Sequence, residues 1–471
     1  MSTNDKLNRL ILFLCILFTG SSSVGASIRF PSVIGDHMVL QRNATVKLWG
    51  WADTGERISV HTGWNPDAVY TVNPSEDGKW EVSITTPDAG GPYELSFQSA
   101  NDYKTIQGVL IGEVWLCSGQ SNMEMPLKGF ASQPVYGSND IIAQSDNPNI
   151  RLFTVQRNTS PNPLDDCEGS WKRSSPKETA GFSAVAYIYG AYLQKILNVP
   201  VGLIHSSWGG TPAEAWTDKE TLENSFKDIP IRIIEKNIHR SPTVLYNAMI
   251  HPLVPYSIRG VIWYQGEGNR MEPAQYARLF PAMITNWRQK WGFGEFPFYF
   301  VQIAPYKYDD KKNSAELREA QLHTLLHTPN TGMAVTMDVG EYGTIHPGNK
   351  TAVAKRLAYW ALAKTYGMEG IEYCGPIYKS IQIDGTKAIV SFDFALNGLT
   401  SLGKPMEGFT VAGNDRKFYP AEAVIKGKNL IVVSDSVAAP VAVRYGWRNF
   451  IKGNLYNNAG LPASSFRTDN W

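Results

Sequence analysis

The sequence predicts an α/β protein: a mostly parallel sheet with helices on both faces, flanked by β-rich regions towards both termini. Three observations carry this. Between about Val109 and Gly367, short apolar stretches alternate with long segments whose apolar residues recur at helical spacing. From Ser27 to about Thr105, apolar and polar residues alternate in "ATVKLWGWA", "RISVHTGW", "KWEVSITTP" and "YELSFQS", with Gly, Asp, Asn and Pro between them. After about Cys374 the alternation returns, in "KSIQIDGTKAIVSFDF", "GFTVAG", "NLIVVSD" and "VAVRYGW". Strand and helix in turn build parallel sheets with helical layers. Period-two segments with frequent turns build small antiparallel sandwiches.

Taken in order, residues 1–26 read as a cleavable signal peptide. Lys6 and Arg9 precede the apolar run "LILFLCILF", and small residues follow, with Val24 and Ala26 where a signal peptidase reads. The run is too short to anchor in a bilayer, and no other stretch is apolar enough to span one. A secreted or periplasmic protein is expected. Residues 27–108 form an N-terminal β-rich, immunoglobulin-like domain. Residues 109–370 form the α/β domain, with strands in "VLIGEVWLC", "VPVGLIHSS", "IRGVIWYQ", "FPFYFVQIA" and "GMAVTMDV". Its helices lie in "FSAVAYIYGAYLQKIL", "PAQYARLFPAMITNWRQKW" and "HPGNKTAVAKRLAYWALAKTYG", where Pro347 suits a first helical position and Gly367 a C-terminal cap. Residues 371–471 form a C-terminal β-rich region.

Charge is nearly balanced, with 44 basic and 43 acidic residues among 471 and no run of like sign. Nucleic acid and anionic membranes are therefore poor partners. The 14 Trp and 22 Tyr are mostly core, though such rings also serve as stacking platforms for sugars. Once the signal peptide is removed, Cys117, Cys167 and Cys374 remain. An odd count leaves one unpaired, and the spacings match no metal motif. Cys117 reads as a buried apolar residue, while Cys167 and Cys374 are candidates for a disulfide. No metal or organic cofactor is expected, and the oligomeric state is open.

In a parallel α/β sheet, ligands bind outside the carboxyl ends of the strands. After the first strand come Gly119, Gln120, Ser121 and Asn122; after the second, Trp208, Gly209 and Gly210. The third runs into Gln265, Glu267 and Asn269, and the last into Asp338, Glu341 and His346. A serine, a histidine, acids, amides and backbone-exposing glycines at one edge are the parts of an acyl-transfer site. Ser121 is the candidate nucleophile and His346 its base, with His205 the next choice. A histidine base at its ordinary pKa sets an acid limb near about 6 to 7. The amides of Ser121 and Gly210 or Gly209, with the Gln265 side chain, are candidate oxyanion donors. Gln120 and Asn122 are candidate substrate-binding neighbours. The elbow Gly-x-Ser-x-Gly is absent, because Met123 stands at its last position.

The segments "GEVWLCSGQSNMEMPL", "LIHSSWGGTPAEAWT", "NAMIHPLVPYSIRGVIWYQGEGN" and "DVGEYGTIHPGNK" resemble the sialate O-acetylesterase family. So do the flanking "IGDHMVLQR" and "NLYNNAGLPASSFRTDNW", so the resemblance spans nearly the whole chain after the signal. It implies an SGNH-type hydrolase with a flavodoxin-like sheet, a Ser121 nucleophile, a His346 base, and Gly210 and Gln265 at the oxyanion. One position departs: many SGNH enzymes carry Asp three residues before the histidine, where Gly343 stands here, followed by Thr344. Glu267 is the first choice for the orienting acid. Glu341, Asp338, or a backbone carbonyl in a Ser–His dyad are the alternatives.

The resulting expectation is an exported serine esterase that removes O-acetyl groups from a sugar through an acetyl-Ser121 intermediate, with O-acetylated sialic acid as the favoured substrate. An acetylxylan or other glycan acetylesterase shares every motif. A non-catalytic sugar-binding protein is the rival of another class.

Overall fold

The computed structural model describes residues 28–471, so the expected signal peptide at 1–26 lies outside the described residues. Seven strands come first: β1 (Val39–Gln41), β2 (Thr45–Trp51), β3 (Ile58–Thr62), β4 (Asn65–Val72), β5 (Lys79–Thr85), β6 (Gly90–Gln98) and β7 (Tyr103–Gly119). β2 pairs antiparallel with β5, and in both every second residue is buried, so Val46, Leu48, Trp80, Val82 and Ile84 share one core. β3 pairs with β4 and β6, and β6 with the first part of β7.

The α/β sheet adds β8 (Asn147–Thr154), β9 (Trp171–Ser174), β10 (Val201–Ser207), β11 (Gly260–Tyr264), β12 (Phe298–Val301) and β13 (Thr331–Ala334). Their order across the sheet is β13-β12-β11-β7-β10-β8-β9, parallel except for β9. Every strand expected from the sequence is present. β8 and β9 were not expected: β8 opens on Asn-Pro-Asn, and β9 has only four residues. The 17 residues of β7 serve both layers, pairing with β6 up to Ile111 and with β10 from Glu113 onward. The boundary placed between 108 and 109 therefore falls inside one continuous strand.

Alternate residues of β11 divide between two cores. Val261 and Trp263 pack with Phe280 and Trp287 of the helix Pro273–Trp291. Ile262 and Tyr264 join Tyr189 of the helix Ala184–Leu197 and Leu357 of the helix Lys350–Trp360. That is the signature of a sheet covered on both faces. The helix Ala315–His327, between β12 and β13, was not expected, because part of its buried side is polar: Arg318, Gln321 and Thr324. The last helix starts at Lys350 behind Asn349, whose side chain accepts the Ala352 amide at 3.1 Å. Pro347 thus precedes the helix and does not open it.

The C-terminal region forms two four-stranded antiparallel sheets around Val390, Val411, Leu430, Tyr445 and Phe466. Buried Arg318 ties it to the α/β layer, donating to the Gly446 and Arg448 carbonyls at 3.0 and 2.8 Å. Cys117, Cys167 and Cys374 are all buried and free, so the disulfide considered for Cys167 and Cys374 is not formed. No helix among the described residues is long and apolar enough to cross a membrane.

Glu113 marks the point where β7 passes between the layers. Its side chain is fully buried and accepts from Arg42 Nε at 2.6 Å, Arg259 Nε at 2.7 Å, Tyr366 Oη at 3.1 Å and Gln41 Nε2 at 3.2 Å. Removing the carboxylate takes a partner from two part-exposed guanidinium groups, of which Arg42 keeps Asp88, and the acceptor from the Tyr366 hydroxyl. Glu113→Ala is expected to destabilise the fold by about 3–5 kcal/mol, read as a lower urea midpoint. An unchanged midpoint would show that the joint does not depend on this carboxylate.

Candidate active site

Ser121 owes its position to Gly119. β7 ends there with φ 138°, and a Cβ at 119 would stand 2.3 Å from the Tyr264 carbonyl oxygen. Only glycine lets β7 and β11 run side by side to the sheet edge. Gln120 then donates its amide to that carbonyl at 2.9 Å, and the short helix Ser121–Glu124 carries the chain off the strand.

The loop after β13 brings His346 onto the serine, with Nε2 2.8 Å from Ser121 Oγ. His346 Nδ1 lies 2.5 Å from the side-chain oxygen of Gln133. An amide oxygen only accepts, so the ring carries its proton on Nδ1 and turns its free lone pair to the serine hydroxyl. Phe130 packs edge-on against the imidazole at 5.4 Å. Phe130 and Gln133 also exchange backbone hydrogen bonds of 3.1 and 3.0 Å, a tight turn that holds both side chains on the ring. Burial, followed by the charge of Lys350, pushes His346 down to about 4. The ring is therefore neutral and ready to accept a proton through most of the working pH range.

None of the three carboxylates considered for orienting this histidine makes a hydrogen bond to it. Glu267 Oε1 instead accepts from Asn122 Nδ2 at 2.8 Å, its Oε2 is buried without a partner, and burial pushes its carboxyl pKa up. Glu341 accepts from Tyr136 Oη at 3.0 Å and from the Gly348 amide at 2.9 Å. Asp338 is gripped by Arg356 at 2.7 and 2.6 Å. The place foreseen for an acid is taken by the neutral Gln133. Nothing in the sequence marked it, since a glutamine in the loop "GFASQPVYG" carries no periodicity and no charge.

The amide side chains also differ from expectation. Gln265 Nε2 donates to Thr211 O at 3.1 Å and Asn269 Oδ1 at 2.7 Å, so both of its hydrogens are engaged away from Ser121. Gln120 Oε1 accepts the amides of Gly266 and Gly268 at 3.3 and 3.0 Å. Asn122 donates to Glu267 and to Ile345 O at 3.0 Å and accepts from Lys350 Nζ at 2.6 Å. These three residues fasten loops together. His205 is buried, shares 2.6 Å with Ser207 Oγ, and makes no hydrogen bond to Ser121. The amides of Ser121 and Gly210 make no hydrogen bond among the described residues, which leaves both free as candidate donors.

One wall beside the serine is aromatic and charged. Trp208 stacks on His239 at 4.9 Å, and the Arg157 guanidinium lies 5.4 Å from the Trp208 ring centre. Glu124 joins this wall to the next loop, contacting Arg157 with one oxygen and accepting the Gly209 amide at 2.8 Å with the other.

Residues 111–362 match the family model described as carbohydrate esterase, sialic acid-specific acetylesterase. The sialate O-acetylesterase of Mus musculus is 30% identical, with 93% of this chain and 92% of that protein aligned. Its Homo sapiens counterpart is also 30% identical, over 97% of this chain and 95% of that protein. Among solved structures, a carbohydrate acetylesterase from Xanthomonas citri superposes with a TM-score of 0.88 at 38% identity, covering 94% of this chain and all of that one.

The space around Ser121 is tight on the Gly209 side. A Cβ there would meet Glu124 Oε2 at 2.9 Å and Ser121 Cβ at 3.2 Å. Gly209→Ala is expected to shift the serine and lower kcat for ester hydrolysis on the order of 10²-fold, with thermal unfolding little changed. Wild-type kcat would mean that the loop yields without moving Ser121.

Proposed function

Since this chain belongs to the sialic acid-specific acetylesterase family of carbohydrate esterases and is a carboxylic-ester hydrolase, we propose that it removes O-acetyl groups from a sugar by serine catalysis. The 2.8 Å contact between Ser121 Oγ and His346 Nε2 carries this reading. His346 takes the hydroxyl proton as Ser121 Oγ attacks the acetyl carbonyl, and the amides of Ser121 and Gly210 meet the oxyanion. Collapse breaks the ester bond, with the His346 proton passing to the sugar oxygen. Water, activated by the same imidazole, then releases acetate and restores the serine. Gln133 keeps the imidazole in the right tautomer without adding a negative charge. Membership of a hydrolase family sets aside the non-catalytic sugar-binding reading.

The sheet order also supports an SGNH-type, flavodoxin-like plan. Without β8 and β9, the strands run second, first, third, fourth, fifth in chain order, as β10-β7-β11-β12-β13. The wall of Arg157, Trp208 and His239 is the surface proposed to meet the sugar. Export is proposed from the basic, apolar and small-residue pattern of 1–26. O-acetylated sialic acid is the first substrate, following the mammalian relatives. The Xanthomonas citri enzyme is described only as a carbohydrate acetylesterase, and an acetylated xylan or other glycan is the second reading. Acetate release from acetylated sialic acid and acetylated xylan, assayed side by side, decides between them. Release from neither would overturn the proposed substrate class.

Ser121→Ala is expected to lower turnover by about 10⁴-fold or more with the fold intact. A variant retaining a tenth of wild-type activity would reject Ser121 as the nucleophile.

The base must be neutral to act, so activity falls as pH drops through the His346 pKa, and the structure moves that limb from the ordinary histidine range down to about 4. Gln133→Glu places a negative charge on Nδ1, stabilises the imidazolium and moves the acid limb to higher pH. A pH–kcat profile that does not change in Gln133→Glu would show that residue 133 does not hold the base.

A further inference from the structure

Asn122 follows the nucleophile directly, and every hydrogen-bonding position of its buried side-chain amide that the structure fills leads to a different loop. Nδ2 gives one hydrogen to Glu267 Oε1 at 2.8 Å, on the loop after β11, and one to Ile345 O at 3.0 Å, the residue before His346. Oδ1 takes a hydrogen from Lys350 Nζ at 2.6 Å, at the start of the last helix. The two ends of an amide are nearly the same shape, so its neighbours decide which way it faces. Here a carboxylate sits at the nitrogen end and an ammonium at the oxygen end. The reversed amide would set NH₂ against NH₃⁺ and oxygen against carboxylate.

We propose that Lys350 and Glu267 are positioning residues that act as one unit through Asn122, locking the amide that ties the nucleophile's helix to the base's loop. The proposal rests on the Ser121–His346 reading. Lys350 is fully buried, and among the described residues no carboxylate lies within ion-pair distance of Nζ, so the amide stands between the two charges. Burying an ammonium and a carboxylate in this way is costly, and it is more readily explained by function than by stability. The groups facing Lys350 are Glu267, Glu341, His346 and the Tyr264 ring, whose centre is 5.4 Å from Nζ.

The consequence is a distinctive pH response. Burial pushes Lys350 down to about 7, against the upward pull of Glu267 and Glu341. Its charge is present below that pH and lost as pH rises, so turnover falls on the alkaline side as the lock weakens. The same charge depresses His346, so removing it lets His346 rise. Lys350→Met should therefore lose the alkaline limb and move the acid limb to higher pH. In Glu267→Gln, Lys350 loses the carboxylate that holds its proton, so the alkaline limb moves to lower pH.

The test is a pH–kcat profile on 4-nitrophenyl acetate, corrected for spontaneous hydrolysis, with thermal unfolding of each variant. Each single change is expected to cut kcat by about 10–100-fold with little change in KM. The double variant Glu267→Gln/Lys350→Met is expected to cost no more than either single change, because the residues act together. It should also unfold at or above the wild-type temperature, since both buried charges are gone. Losses that multiply in the double variant, or limbs that stay in place, would overturn the proposal. Ser121→Ala in the same assay separates the two levels: if it retains activity, the underlying reading fails, whereas an inactive Ser121→Ala with unmoved limbs rejects the lock alone.

Discussion

The approach of β7 to β11 at Gly119 is the constraint on which the rest of the site depends. A side chain at 119 would collide with the Tyr264 carbonyl, and the Gln120 amide uses that same carbonyl as its acceptor. The serine is thus held by backbone contacts between two central strands, which are among the least mobile parts of an α/β sheet. β7 extends this rigidity outward. Its first part is a strand of the N-terminal sheet, and Glu113 fastens the passage between layers with two arginines. On this strand the serine meets the loop bearing His346, which the turn bearing Gln133 holds in place.

That loop is held by a division of labour between neutral and charged groups. The group touching the imidazole is a neutral amide, Gln133, so no negative charge adjoins the ring, and burial with Lys350 keeps it unprotonated down to acid pH. The ionisable groups Glu267 and Lys350 touch Asn122 instead. A carboxylate on Nδ1 would favour the imidazolium that forms during attack, but it would also raise the pH at which the base is lost. The arrangement here suits an enzyme whose base must remain available in acid. Glu341 and Asp338 take no direct part, since each is committed to fastening other segments.

Sequence reasoning located the serine, the histidine and all the strands that carry them, because those signals are local: an apolar run, a turn of small residues, a strand–helix rhythm. It failed where a residue's role depends on what lies across the fold. Gln133 is 213 positions from His346, and Lys350 is 228 from Asn122. Gln265 looked like an oxyanion donor by position, yet its hydrogens are engaged by Thr211 and Asn269. Glu267 was expected to orient His346, whereas its carboxylate accepts from Asn122. The helix Ala315–His327 escaped because Arg318, Gln321 and Thr324 line its buried side, and a pattern search for apolar stripes does not register buried polar groups.

In the proposed mechanism Ser121 itself carries the acetyl group during turnover. Mixing the enzyme with an activated acetyl ester, quenching in acid within a turnover, and sequencing the peptides by mass spectrometry tests this directly. A single added acetyl group on Ser121 is expected, absent when His346 is replaced by Ala. An unmodified Ser121 under conditions of active turnover, or an acetyl group on another side chain, would contradict it.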